Sequence, residues 1–287
     1  MRLLRVGEKG AERPAALTDD NRLLDLGELL NGGDFTPDFF ASGGLDRVRE
    51  ALSGDPLPGL RELDQDGLRI GPAVARPGKI VCIGLNYRDH AEESGAAVPA
   101  EPVVFMKASN TVVGPFDEVL VPRGSVKTDW EVELALVIGS TCRYLGSHEE
   151  ALASVAGYLV SNDVSEREFQ LERGGQWDKG KSCETFQPLG PWLVTADEVP
   201  DPQALGLRLW VNGDLKQNGS TKNMIFGVAE IVRYLSQFMV LEPGDVINTG
   251  TPAGVALSGL HPYLKEGDVM ELEIDGLGRQ RQTVGQA

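Results

Sequence analysis

Glu131 and Glu133 flank Val132 in the stretch Asp129-Trp130-Glu131-Val132-Glu133-Leu134-Ala135-Leu136-Val137-Ile138-Gly139. Its Val, Leu and Ile content and its end at Gly139 predict a β-strand. Successive side chains of a strand point to opposite faces, so the two carboxylates emerge on one side, about 7 Å apart. A carboxylate pair leading into an apolar run repels itself and resists burial unless a positive group, most simply a divalent cation, sits between them. The plainer reading is an edge strand with a solvated acidic face. A second apolar run, Val155-Ala156-Gly157-Tyr158-Leu159-Val160, leads through Ser161 and Asn162 to Asp163, which can complete a set of three carboxylates. Oxygen-only ligation, with no His or Cys attached, suits Mg²⁺, Mn²⁺ or Ca²⁺ better than zinc.

Other groups stand where they can act beside such a centre. His90 and Glu93 are three residues apart after the buried-type strand Lys79 to Leu85, with Asp89 placed to cap a short helix. An imidazole oriented by a carboxylate is a general-base arrangement. Lys107 closes the strand Val103 to Lys107, either as a cation for substrate or as a snorkelling side chain. Arg167 can grip a substrate carboxylate bidentately, or pair with Glu166 or Glu168. The Gly/Thr turn from Asn248 to Gly254, which contains Thr251, offers hydroxyls and amides to an anion. The run Gly174 to Cys183 is glycine-flexed and rich in functional groups, and it lacks the spacing of a phosphate loop. His148 begins a helix with a capping-box-like start and reads as an exposed residue.

The elements that must carry these groups are mostly strands. A hairpin through Asn212-Gly213, an apolar helix within Phe226 to Phe238 and a final, half-exposed strand from Asp268 to Ile274 complete a β-rich α+β reading. Residues 1–72 differ in texture. Short strands at Leu3 to Val6 and Arg22 to Leu26 and a helix at Asp46 to Ser53 suggest a small N-terminal α+β domain before a main domain at 73–287. The alternative is that they form the first layer of one domain.

The 287 residues carry 43 Asp and Glu against 27 Lys and Arg, a formal net charge of −16, which argues against a nucleic-acid surface. Acidity fits cation binding, and an anionic substrate then needs a metal or a few placed cations. Cys82, Cys142 and Cys183 form no CxxC and leave an odd thiol in any pairing, which points to a reducing cytoplasm. No apolar run approaches the roughly 18 residues of a membrane span, and the N-terminus turns polar at once.

Taken in order, Gly84-Leu85-Asn86-Tyr87-Arg88-Asp89-His90, Phe105-Met106-Lys107, Glu131-Val132-Glu133-Leu134, Asn162-Asp163-Val164-Ser165-Glu166-Arg167, Trp177 to Ser182 and Asp245 to Gly254 resemble the fumarylacetoacetate hydrolase family over roughly residues 75 to 285. The resemblance implies a mixed β-roll catalytic domain, a small N-terminal domain and usually a homodimer. It implies Mg²⁺ or Mn²⁺ held by Glu131, Glu133 and Asp163, a water-activating dyad of His90 and Glu93, and an active-site lysine, Lys181. Lys107, Arg167, Gln170 and Thr251 fall where family members tend to contact substrate. The fourth acidic ligand of fumarylacetoacetase itself is not evident, so the chain looks like a shorter member acting on other β-diketo or 2-oxo acids.

That resemblance implies hydrolysis of a C–C bond in an acylpyruvate, giving pyruvate and a carboxylic acid. The loop Gln176 to Lys181 and Gly190-Pro191-Trp192-Leu193-Val194 look similar to members that cleave 2,4-diketo-3-deoxy sugar acids such as those of L-fuconate or L-rhamnonate breakdown. Oxaloacetate decarboxylation and 2-hydroxyhepta-2,4-diene-1,7-dioate isomerisation are alternatives that the same site could support. A non-catalytic, metal-stabilised binding protein is the remaining reading. No residue supports a ureido substrate.

Overall fold

A computed structural model describes residues 1–54 and 59–287. Among the described residues, sheet dominates and the helices are short. A large mixed sheet runs in the order Leu23–Asp25, Arg13–Leu17, Arg2–Val6, Gln187–Thr195, Val155–Asn162, Val132–Ile138, Val246–Asn248, Ile80–Gly84, Val103–Lys107. Most neighbours are antiparallel, while Val246–Asn248 runs parallel to Ile80–Gly84. A second sheet orders Asp214–Ser220, Gly206–Val211, Val269–Ile274, Gly278–Gln286 and Val119–Val121. The fold is a β-rich, mixed roll type.

The strand Val132–Ile138 lies inside the large sheet, paired with Val155–Asn162 on one side and Val246–Asn248 on the other. It is therefore not an edge strand with a solvated acidic face. Both of its faces are covered, as its near-continuous apolar run allows. Val132, Leu134, Leu136 and Ile138 pack with Leu207, Leu209, Met270 and Leu272 of the second sheet. Ala135 and Val137 face the other core, with Leu3, Phe35, Phe39 and Phe40. Side-chain alternation puts Glu133 on that second side, so the carboxylate enters a dry interior with the strand that carries it.

Several local expectations change. The helix Arg88–Glu93 starts after Tyr87, which supplies no side-chain cap, and Asp89 lies inside the first turn. Asp89 bonds the next amide rather than capping the helix. The loop after Gln176 contains a helical turn, Asp178–Lys181. Gly278–Gln286 follows Val269–Ile274 as a further strand, because its alternation of small and polar residues hides a buried face formed partly by Gln280 and Gln282. The Asn212-Gly213 hairpin forms with both residues at positive φ, 53° and 83°, the conformation a two-residue turn requires.

The N-terminal strand Arg2–Val6 pairs antiparallel with Gln187–Thr195, with Arg2 opposite Val194 and Leu3 opposite Leu193. The helix Pro37–Ala41 is capped by Thr36 and has proline in its first turn, where the missing N–H costs nothing. Its Phe39 and Phe40 are buried, each worth about 1.5–3 kcal/mol of transfer free energy. This packing closes the face of the sheet that also carries Glu133.

Candidate active site

The structure brings Glu131, Glu133 and Asp163 together, with one oxygen from each within 4.8 Å of the others. Glu133 comes from the interior of Val132–Ile138, Glu131 from the residue before it, and Asp163 from the residue after Val155–Asn162. These two strands are paired, Val132 opposite Asn162, which fixes the spacing of the three groups. The cage opens into a cavity of about 170 Å³ that is also lined by His90, Arg167, Gln170, Lys181 and Thr251. Lys107 lies behind it.

Cations surround the cage unevenly. Lys181 Nζ donates to Glu131 Oε2 at 2.7 Å and to Asp163 Oδ2 at 2.9 Å. Lys107 Nζ binds the other Asp163 oxygen and the Val164 carbonyl. Arg167 donates from its NH2 to Glu131 Oε1 at 2.7 Å, from Nε to Asp129 Oδ2 at 2.8 Å and from NH1 to Gln170 Oε1 at 3.0 Å. Its carboxylate partners are thus Asp129 and Glu131, and neither Glu166 nor Glu168. Burial disfavours charge on Glu131, yet Lys181 and Arg167 hold its carboxyl down at about 2. Burial likewise opposes the charge on Lys181, and Asp163 and Glu131 raise it well above the usual lysine range.

Glu133 is different. Among the described residues no Lys or Arg pairs with it, and its one hydrogen bond comes from the Gly250 amide at 2.7 Å. Burial, followed by the charges of Asp163 and Glu131, pushes its carboxyl well above the usual range. A shared divalent cation resolves this imbalance, and three hard carboxylate oxygens suit Mg²⁺ or Mn²⁺. The residues present fit such a group.

The turn Gly250 to Ser258 holds much of the site through backbone amides. Gly250 N–H binds Glu133, Gly254 N–H binds both Glu93 oxygens at 3.0 and 3.1 Å, and the amides of Ala256 and Leu257 bind Asp129 at 2.8 and 2.9 Å. Thr251 Oγ1 ties the turn to the diacid strand by donating to the Val132 carbonyl, and it accepts from Gln217. Gly254 has φ +106°, and a Cβ there would lie 2.0 Å from the Lys216 carbonyl oxygen, so only glycine fits.

His90 and Glu93 sit on one face of their helix, with His90 Nδ1 3.7 Å from Glu93 Oε2. That is longer than a hydrogen bond, and Nδ1 is buried without a partner among the described residues. Burial works against the Glu93 charge, and His90 and the Gly254 amide hold its carboxyl below the usual range. His148 is exposed on Glu230, away from the cage.

Asp129 carries a part of this arrangement that the spacing of Glu131 and Glu133 already hinted at. It lies two residues before Glu131, on the same side of an extended chain, yet draws no attention because acids near a strand start are commonplace. Trp177 and Phe105, stacked edge to face at 5.3 Å, also line the cavity. Aromatic residues in a strand and a loop read as core.

Residues 79–285 match the family described as fumarylacetoacetate (FAA) hydrolase C-terminal. A protein of Burkholderia multivorans, provisionally named a hydrolase, is 53% identical over 98% of each chain. Maleylpyruvate hydrolase from Sphingobium sp. SYK-6, in complex with manganese(II) and pyruvate, shares 30% identity with a TM-score of 0.82 over 100% of both chains. 2-Hydroxyhepta-2,4-diene-1,7-dioate isomerase from Mycobacterium marinum shares 31% identity with a TM-score of 0.74 over 100% of this chain and 98% of that one.

Proposed function

This chain belongs to the fumarylacetoacetate hydrolase family, and from that premise we propose that it is a divalent-metal-dependent hydrolase of acylpyruvate-type β-diketo acids, releasing pyruvate and a carboxylic acid. The observation that carries the reading is the opening of the carboxylate cage, His90 and Lys181 into one cavity. Glu131, Glu133 and Asp163 would hold Mg²⁺ or Mn²⁺, which supplies Lewis-acid polarisation of the 2-oxo acid end when bound.

The chain's own groups account for the rest. His90, with Glu93 beside it on the same helix face, takes a proton from water, and the resulting hydroxide adds to the distal carbonyl carbon. The C–C bond then breaks, its electron pair stays with the pyruvate fragment as an enolate, and a proton returns to that carbon. Lys181, kept as an ammonium by Glu131 and Asp163, stabilises developing oxyanion charge better than it gives up a proton. Arg167 and Lys107 act through Glu131 and Asp163, which they orient, while Gln170 and Thr251 sit in the cavity wall.

Isomerisation of a dienoate, or decarboxylation of oxaloacetate, is the second reading. The 3.7 Å between His90 and Glu93 favours it, since neither reaction needs an activated water. Pyruvate release from acetylpyruvate and from oxaloacetate, with Mn²⁺ present, separates them for the wild type and Glu93→Ala. Hydrolysis of acetylpyruvate that falls by about 10² in the variant supports the hydrolase. Pyruvate from oxaloacetate alone, unchanged by the substitution, refutes it.

A further inference from the structure

We infer that the cavity selects substrates whose end remote from the cage is short and uncharged, and rejects those with a second carboxylate there. The inference rests on the reading that a 2-oxo acid group lies at the cage. The volume of about 170 Å³ is close to the roughly 150 Å³ that holds a benzene-sized guest. A 2-oxo acid group and a short chain fill it.

Two cationic side chains line the cavity among the described residues, Arg167 and Lys181, and both are already engaged with carboxylates. Arg167 has little freedom to turn toward a ligand. It is tied to Asp129, which is itself pinned by the amides of Trp130, Ala256 and Leu257. Lys181 faces the cage end, where it bridges Glu131 and Asp163.

Leu85, Phe105, Leu171, Trp177 and Leu257 make hydrocarbon and ring walls; beside them His90, Ser94 and Thr251 also line the cavity, and the two hydroxyls already donate to backbone carbonyls. Trp177 is laid directly on the backbone at Gly84, where a Cβ would come within 2.6 Å of its ring, so this wall is firmly placed. Gln170 turns its Oε1 to Arg167, which leaves its NH2 as a neutral donor suited to a carbonyl or hydroxyl oxygen. A second carboxylate against these walls would lose its water without gaining a cation. The net charge of −16 adds a long-range repulsion.

Calorimetric titration of the Mn²⁺-loaded full chain with 2-oxopentanoate and with 2-oxoglutarate, which share a five-carbon chain and differ at the far end, tests this. The expected result is at least about 10-fold tighter binding of 2-oxopentanoate, the scale of an unpaired buried charge. Equal or tighter binding of 2-oxoglutarate, or binding of neither, overturns the inference. Leu171→Arg, at a half-exposed wall position, should swing the ratio toward 2-oxoglutarate by about 10-fold, and an unmoved ratio also counts against it. Because binding is read without turnover, failure of the hydrolase reading appears separately, as absent pyruvate release from acetylpyruvate.

Discussion

Two clusters of acidic and basic side chains in this molecule look alike on paper and differ in one respect. In the N-terminal region Arg5 pairs with Glu12 and Asp34, and Arg69 pairs with Glu12 and Asp117. Every carboxylate there meets a guanidinium. At the cage, Arg167, Lys107 and Lys181 serve Asp129, Glu131 and Asp163, and Glu133 is left with a backbone amide. The first cluster is complete and holds strands together. The second leaves one buried carboxyl without a cationic partner, so that its charged form is disfavoured until a cation binds.

Removing one partner from each cluster should expose this contrast. Asp129→Ala takes the acceptor from Arg167 and from three amides in the buried cluster. Urea unfolding should show a loss of about 3–5 kcal/mol, the scale for a broken buried pair, together with weaker Mn²⁺ binding as Glu131 loses its orientation. A loss below about 1 kcal/mol would mean that the network is no tighter than a surface ion pair.

Arg69→Ala should cost less, about 1–3 kcal/mol, because its pairs are partly solvated, and it should leave Mn²⁺ binding untouched. Its effect carries a pH signature. Burial opposes the Glu12 charge, but Arg69 and Arg5 hold the carboxyl below its ordinary value of 4.5. A lowered folded value means stability that is present above 4.5 and lost as pH falls through the folded value. The gap between wild type and variant should therefore be full near neutrality and shrink in acid. Denaturation midpoints measured at several pH values check this, and a gap that widened in acid would reverse the assigned sign.

Much of the centre was legible in the residues themselves. Alternation along a strand places Glu131 and Glu133 on one side, and a strand ending at Asp163 supplies a third oxygen donor. Helical spacing puts His90 beside Glu93. What spacing could not convey was the pairing of Val132–Ile138 with neighbours on both edges, since an acidic start to an apolar run reads equally well as an edge. Long-range partners were hidden for the same reason. Arg167 meets Asp129, 38 residues away, rather than the acids next to it in sequence. The amides of Gly250 and Gly254, which hold Glu133 and Glu93, belong to residues with no side chain to betray them. The last strand escaped because Gln280 and Gln282 bury amide groups that bond the Val160, Gly190 and Pro115 carbonyls, a polar interior that hydrophobic patterning does not reveal.

The most direct test is a Mn²⁺ titration, by calorimetry or electron paramagnetic resonance, of the wild type, Glu133→Gln and Glu12→Gln. The account predicts one Mn²⁺ per chain in the wild type and Glu12→Gln. In Glu133→Gln the affinity should fall by more than about 100-fold, with no loss of thermal stability, since a carboxyl whose charge burial and its acidic neighbours oppose has been replaced by a neutral amide. Wild-type Mn²⁺ affinity in Glu133→Gln would contradict it, and would place the cation, if one binds, away from the carboxylate cage.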